Sequence, residues 1–168
     1  LVDKRFNQIQ EFLIQLASGN FDYKVSPSES QDELDALIVG INMLAEELKV
    51  SQENHIALFE HAGDAILIFN ITSNKFVDSN ETATTLLGYS AEDIRLLSVI
   101  DLFPKEEKTR LESEITHLNR AVQTSFDAQI ETKAGNLKDV SFLSKRLPYG
   151  DNQYFQIALR DITEAKQI

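Results

Sequence analysis

The chain has 168 residues, a formal net charge of −11 and no cysteine, which permits one medium-sized domain or two small ones. The acidic charge disfavours nucleic acids and anionic membranes as partners, because like charges repel. The lack of cysteine excludes disulfides, thiolate metal sites, cysteine nucleophiles and flavin–cysteine photochemistry. The longest clean apolar run, residues 65–69, is far shorter than the ~20 residues that a membrane-spanning helix needs.

In two stretches of the first fifty residues, apolar side chains recur at alternating steps of three and four. This heptad pattern predicts two helices that each pack along another helix. Gly19 and Asn20 supply residue types that end a first helix, and Ser30 or Asp32 can cap a second one. The predicted seam consists of Val2, Phe6, Ile9, Leu13, Leu16, Leu34, Leu37, Ile41, Leu44 and Leu48.

A polar connector of about a dozen residues joins the two predicted helices. A connector of this length allows the helices to run parallel or antiparallel, and periodicity does not decide between the two. Two helices with narrow apolar stripes bury too little apolar surface to be stable alone. We therefore expect a four-helix bundle made from two chains, with a plain dimeric coiled coil as the alternative.

The segment LASGNFDYKV, followed by DELDALIVGINMLAEEL, resembles the HAMP signalling module, in which two parallel helices per chain form a dimeric four-helix bundle. The DEL at residues 32–34 is similar to the motif that opens the second helix of that family. Asp35 stands where the family often has glycine, and the first helix lacks the proline usual in membrane-coupled members. The resemblance covers residues 1–50 and implies a parallel homodimer of a cytoplasmic, HAMP-like variant.

The second helical pattern continues in register through Ser51, His55 and Leu58, which predicts an unbroken helix from Leu34 to about Phe59. Two polar residues weaken a seam and can fix its register or allow movement. We therefore expect residues 51–60 to be a linker helix that carries a rotation from one end to the other. The alternative, which is compatible with the first, is an amphipathic helix that covers the next domain.

Residues 61–163 have the pattern of a mixed α/β domain. Two strands are predicted at DAILIFNI and FVDSN, followed by a short helix at ETATTLLGYS that ends at Gly88 and a helical turn at AEDIRLL. One long helix is predicted at KEEKTRLESEITHLNRAV, with four apolar residues on a single face. They are Leu111, Ile115, Leu118 and Val122.

The last part of the chain has the pattern of three further strands. Apolar and polar residues alternate in SFDAQIETK, which predicts a half-buried strand with one face in water. The sequences AGN and YGDN predict hairpin turns between the strands. Long hairpins favour an antiparallel sheet, so we expect an α+β fold with a five-stranded antiparallel sheet and helices on one face.

Two stretches of this region, FVDSNETATTLLGYSAEDI and QIALRDITEAKQ, resemble a PAS domain. The first is similar to the second strand and first helices of the family, with its N…A…LLGYS signature, and the second to its last strand and exit motif. The resemblance covers residues 61–163. HAMP-like and PAS modules in tandem are typical of bacterial sensor histidine kinases and related output proteins. We therefore expect a piece of such a protein, whose output coiled coil starts at residues 164–168.

The sequence lacks the motifs of common catalytic sites. It has no P-loop, no dinucleotide fingerprint and no nucleophile elbow. None of His55, His61 and His117 is followed by the acidic residue that usually follows a phospho-accepting histidine. We therefore expect the chain itself to have no enzymatic activity, and treat an enzyme in its own right as the rival interpretation.

No cofactor or metal is expected for the PAS-like region. Helical phasing turns His117 away from the apolar face of its helix and towards solvent, which argues against a haem ligand. The aliphatic and phenylalanine side chains of the strands argue against a non-covalent flavin. We expect a core filled by its own side chains, with a small apolar ligand as the alternative.

Asp161 and Thr163, in the stretch RDITEAKQI, are the candidate signal-coupling residues. Thr163 can cap the exit helix, and Asp161 can pair with a cation or accept backbone N–H bonds. The resemblance to PAS domains implies that this motif links the sheet to the output helix. The simpler alternative is that both residues only start a helix. For the whole chain, the alternatives are a dimerisation scaffold without sensing and a part of another PAS-containing protein, such as a diguanylate cyclase.

Overall fold

The computed structural model describes residues 2–166, and the side chains of residues 4–164. The chain divides into two compact units, Leu1–Ala57 and Leu58–Ile168. One helix, α2, runs unbroken from Glu33 to Glu60, as its apolar periodicity predicts, and so contributes to both units. No helix among the described residues is both long and apolar enough to cross a lipid bilayer.

The first unit contains helix α1, Val2–Ala17, a connector and the first part of α2. Two contacts show that its helices run parallel. Arg5, near the start of α1, binds Asp32, directly before α2. After α1 has ended, Asp22 is bound by Lys49, about four turns along α2. The structure therefore decides the orientation that periodicity left open.

The core of the first unit is a small apolar cluster between the two helices and the connector. Ile9 and Phe12 of α1 are buried against Ile38 and Ala45 of α2. Phe12 also stacks on Tyr23 of the connector, with ring centroids 5.7 Å apart. The connector is held to α2 by Asn42, whose side chain bonds both the N–H and the carbonyl of Val25.

The second unit is an α+β domain with a five-stranded sheet in the order β2-β1-β5-β4-β3, antiparallel at every pairing. A 3₁₀ turn at Val99–Leu102 precedes the long helix α5. The elements are β1 Ala65–Asn70, β2 Lys75–Ser79, α3 Glu81–Leu87, α4 Ala91–Ile94, α5 Lys105–Leu118, β3 Gln123–Glu131, β4 Leu137–Arg146, β5 Tyr154–Asp161 and α6 Thr163–Lys166.

The core of the second unit lies between one face of the sheet and the helices. Every second residue of β5 is buried from Phe155 to Leu159, and the same alternation holds through most of β4 and the second half of β3, as the sequence pattern predicts. The hairpin turns also form where predicted, with Gly135 and Gly150 at φ +87° and +66°. Glycine suits both positions because other residues rarely adopt positive φ. The predicted antiparallel sheet is therefore confirmed.

The predicted extent of the long helix is wrong at its end. Helix α5 stops at Leu118, so Val122 does not join its apolar face and is 74% exposed. The Val122 carbonyl accepts the Arg146 N–H at 2.8 Å. This bond extends the β3–β4 pairing back to Val122, which removes the residue from the helix.

Candidate functional site

The last strand is joined to α6 through two polar residues, Asp161 and Thr163. Asp161 Oδ1 accepts hydrogen bonds from the Thr163 hydroxyl at 2.6 Å and from the Thr163 N–H at 3.0 Å. These donors, the hydroxyl first, hold the pKa of Asp161 below its usual range, so the carboxylate is ionised at neutral pH. Because the first N–H groups of a helix have no partner within it, Asp161 stabilises the start of α6.

Thr163 also binds the neighbouring strand β4. The Asp139 N–H donates to Thr163 Oγ1 at 3.2 Å, and the Ile162 N–H donates to the Asp139 carbonyl at 2.8 Å. The sequence suggested Thr163 as the cap of the exit helix. In the structure α6 begins at Thr163, and Asp161 is the side chain that accepts its N–H. The start of α6 is therefore attached to both β4 and β5.

Asn80 stabilises the other junction of the domain, between the end of α2 and β1. Its side chain is fully buried and uses both donors and both acceptor positions of its amide. Nδ2 donates to the Phe59 carbonyl at 2.8 Å and to the Asp64 carbonyl at 3.1 Å. Oδ1 accepts the N–H groups of Ile66 and Ala83, each at 2.9 Å. Asn80 therefore joins the last turn of α2 to β1 and to α3.

Sequence reasoning placed Asn80 in a family signature but gave it no role. Its position directly before a helix was the available signal, since asparagine is a favoured cap. Its bonds to Phe59 and Asp64 could not be read from spacing, because these partners lie 21 and 16 residues away.

A charged cluster joins the starts of α1 and α2. Arg5 donates to Asp32 Oδ2 at 2.6 Å and to Asp35 Oδ1 at 3.2 Å. Asp32 and Asp35 also cap α2 reciprocally, each carboxylate accepting the backbone N–H of the other. Asp35 further accepts the N–H and the hydroxyl of Ser28, both at 2.7 Å. The residue that departs from the HAMP pattern is thus a buried centre of this cluster.

The cluster is fully charged at neutral pH. The hydrogen bond from Arg5 is the largest of the effects that lower the pKa of Asp32, to about 2. The N–H and hydroxyl of Ser28 lower the pKa of Asp35. Because both pKa values are depressed on folding, their contribution to stability is present above the ordinary carboxyl pKa of about 4 and is lost as the pH falls. For Asp32 the loss extends to about pH 2.

The residues of the predicted seam lie in two different environments. Ile9 is buried, and Leu16, Leu34 and Ile41 pack against the core of their own chain. The side chain of Val2 lies outside the described residues. The others are 40 to 52% exposed and form what we call the open apolar face. Its members are Phe6, Leu13, Leu37, Leu44 and Leu48.

Three buried residues of the first unit were missed in the sequence. Phe12, Ile38 and Ala45 complete the core within the chain. The spacing of Ile9, Phe12 and Leu16 is itself that of a heptad. This run was the available signal for a second apolar stripe beside the first.

The exposure of His117 agrees with the orientation towards solvent that its helical phase predicts. His55, His61 and His117 are exposed. Within the described part of the chain, no group of three or more acidic or histidine side chains is placed to hold a metal ion. Phe126 and Phe142 stack at 4.6 Å inside the sheet-helix core, and Phe103 packs beside both.

A cleft of about 420 Å³ lies at the surface beside α5. It is bounded by Asn74 of the β1–β2 turn, Ile100 of the 3₁₀ turn and, on α5, Lys108, Glu112 and Ile115. Its lining is mixed rather than purely apolar. The cleft offers a small molecule a preformed concave surface in this unit.

The sequence model of the PAS domain family matches residues 63–164, which is more than half of the chain. The chain belongs to the PAS domain family. A HAMP domain model matches residues 4–50, so a HAMP domain precedes the PAS domain, as the two resemblances predict. Asn80 therefore binds the segment through which the chain enters the PAS domain, and Asp161 lies where the chain leaves it. Arg5 and Asp35 lie in the HAMP domain.

Among curated proteins, the chain is similar to the methyl sulfide methyltransferase-associated sensor of Methanosarcina acetivorans. The two are 24% identical over 123 residues, which make up 73% of this chain and 12% of that sensor. The chain therefore spans only about an eighth of the length of this relative.

Two solved structures share the fold of the PAS domain. One is a domain of a sensory box sensor histidine kinase/response regulator from Geobacter sulfurreducens, 20% identical with a TM-score of 0.58. It covers 68% of this chain and 96% of that one. The other is a PAS domain from Colwellia psychrerythraea, 22% identical with a TM-score of 0.59, covering 68% and 98%. At this identity the likeness concerns the fold alone.

Proposed function

We propose that this chain is the non-catalytic sensory and relay segment of a bacterial two-component sensor histidine kinase. In this proposal the HAMP domain passes a conformational signal along α2 to the PAS domain. The PAS domain passes it through Asp161 and Thr163 to an output domain that carries out the phosphorelay. The observation that carries the proposal is the continuity of α2 from the HAMP match to its attachment at Asn80.

The same proposal makes the segment a cytoplasmic, parallel homodimer. Support for the dimer comes from the open apolar face, since large apolar side chains aligned on one side of two helices favour a partner of the same kind. A histidine kinase takes its phosphate from ATP, which supports a cytoplasmic location. In this arrangement the predicted linker, residues 51–60, and the output helix from residue 164 onwards both lie on the signalling route.

The second candidate function is a dimerisation scaffold that senses no ligand. The phenylalanine rings that pack against one another in the PAS core favour it, because they occupy space that an internal ligand would need. The cleft beside α5 favours sensing of a small, partly apolar ligand. A ligand that binds the folded state raises the melting temperature by mass action, so a melting screen separates the two candidates.

A different output domain, such as a diguanylate cyclase, would leave the relay unchanged.

The test uses the longer protein that we propose contains this segment, called the parent below. Asp161→Ala removes the acceptor of both the Thr163 N–H and the Thr163 hydroxyl. Thr163→Ala removes the hydroxyl, and with it the bonds to Asp161 and from the Asp139 N–H. We expect both variants to lock the output of the parent high or low at a nearly unchanged melting temperature, because a helix cap contributes only about 1 kcal/mol.

Two control variants limit the interpretation of this test. Thr163→Ser keeps the hydroxyl that binds Asp161 and should preserve the signal response. Lys133→Gln removes a surface ion pair with Asp93 elsewhere in the PAS domain and should leave the output of the parent unchanged. Wild-type output and signal response in both alanine variants would reduce Asp161 and Thr163 to the start of a helix.

A further inference from the structure

Asp64 has contacts on two sides that the relay described so far does not use. Its backbone carbonyl accepts Asn80 Nδ2 at 3.1 Å. Its carboxylate accepts two parallel bonds from Arg160, from Nε at 3.1 Å and from Nη2 at 3.2 Å. A two-pronged bond of this kind fixes the orientation of the guanidinium as well as its distance. Asp64 therefore contacts the residue that holds α2 and the residue that precedes the exit motif.

We propose that Asn80, Asp64 and Arg160 are further coupling residues, which connect the end of α2 to the start of α6 by a short chain of hydrogen bonds. The inference deepens the proposed function and rests on it for its purpose. It adds a direct connection between the end of α2 and the start of α6 that does not pass through α5 or the cleft beside it.

Every step of this connection is a contact within the second unit. The Phe59 carbonyl in the last turn of α2 and the Asp64 carbonyl share the same Asn80 amide nitrogen. The Asp64 carboxylate then holds Arg160. Arg160 is bonded covalently to Asp161, which accepts the N–H and hydroxyl of Thr163 at the first residue of α6.

The sheet keeps this connection short. Strands β1 and β5 are neighbours, and Ala65 pairs with Leu159 at the end of their ladder. Asp64 and Arg160 extend that pairing by one residue on each strand, so their side chains meet without crossing the domain. A shift of the end of α2 that moves Asp64 therefore acts on the residue directly before the exit motif.

Because the ion pair between Arg160 and Asp64 is largely exposed, its removal can test coupling without unfolding the PAS domain. The side chains of Arg160 and Asp64 are 69% and 33% exposed. An ion pair in such a position contributes little to the stability of a fold. Its removal should therefore leave the PAS domain folded while it disconnects the two ends. Energetic coupling is demonstrated when a change at one residue alters a property of the other, so the experiment changes Arg160 and measures amide exchange at the end of α2.

The experiment measures amide hydrogen exchange in this chain with the substitution Arg160→Gln. We expect the amides of Phe59 and Glu60, at the far end of the connection, to exchange roughly two- to fivefold faster than in the wild type. Asp64→Asn should have the same effect, because it removes the same ion pair. The double variant should add nothing further, as expected for two partners of one interaction.

Lys133→Gln serves as the control, since it removes a surface ion pair of the same domain that has no part in the connection. Unchanged exchange at Phe59 and Glu60 in Arg160→Gln would overturn the proposal. An equal increase across the whole sheet would also overturn it, because that result reports a loss of global stability. Either failure leaves the proposed function standing, since that function is read in the output of the parent.

Discussion

Asn80→Ala is expected to lower the free energy of unfolding of the PAS domain by about 3 to 5 kcal/mol. The substitution removes the cap of α3, which alone contributes about 1 kcal/mol. It also leaves the Phe59 and Asp64 carbonyls and the Ile66 N–H without the partner that Asn80 supplies. A group that loses its partner costs about 1 to 3 kcal/mol, and the lower end applies to these three groups because Phe59 and Asp64 are only partly buried. Together these losses exceed the contribution of the cap. Urea denaturation followed by circular dichroism measures the change.

Ser90→Ala is the matched control for this prediction. Ser90 caps the next helix, α4, through one bond to the Asp93 N–H, and it bridges no other element in the contacts described. Its loss should therefore cost only about 1 kcal/mol. If Asn80→Ala costs no more than Ser90→Ala, Asn80 is only a helix cap and does not hold α2.

Leu44→Asp is expected to dissociate the proposed homodimer. Leu44 belongs to the open apolar face and is 48% exposed in the single chain, so the change removes little of the core within the chain. In a dimer the same side chain would be desolvated, and a carboxylate placed there should cost several kcal/mol of association free energy. Sedimentation equilibrium over a concentration series measures the effect.

Met43→Asp is the control for Leu44→Asp. Met43 is 62% exposed and precedes Leu44 on the same helix, about 100° away around its axis. The same charge change there should leave the dimer intact. A wild-type chain that is monomeric at roughly tens of micromolar would contradict the predicted interface. Equal dissociation by Leu44→Asp and Met43→Asp would contradict it as well.

The strands and turns of the PAS domain could be predicted because their signals are local. The alternation of apolar and polar residues in β3 predicted its solvent-exposed face, and Gly135 and Gly150 predicted the hairpin turns. The length of α2 was also predictable, since its heptad register continues through Ser51 and His55 to Leu58. Such features depend on residues a few positions apart, and those residues are visible in the sequence.

The contacts that orient the helices could not be predicted, because they join distant residues. Arg5 and Asp35 are 30 positions apart, and their bond helps to align α1 with α2. The sequence marked Asp35 only as a departure from a family pattern, whereas in the structure it is a buried acceptor. Arg160 and Asp64, 96 positions apart, gave no signal at all.

The candidate site was predicted in part. Asp161 and Thr163 were identified from their place in a motif, and in the structure they contact each other, while Thr163 also contacts Asp139. The predicted seam mixed two environments, because a heptad count does not distinguish the face that meets the same chain from the face that meets another. Val122 was misplaced for a similar reason, since helical periodicity cannot show that a strand pairing begins there.

In the proposed relay α2 carries a rotation into the PAS domain, and an insertion series in α2 of the parent tests this transfer. Alanines are inserted between Gln52 and Glu53, both exposed on the helix. One inserted residue turns everything beyond it by about 100°, whereas seven restore the phase to within about 20°. The parent's output should change with one, three or four residues and return towards wild type with seven. Output that is independent of insertion length, or that declines steadily with it, would contradict the claim.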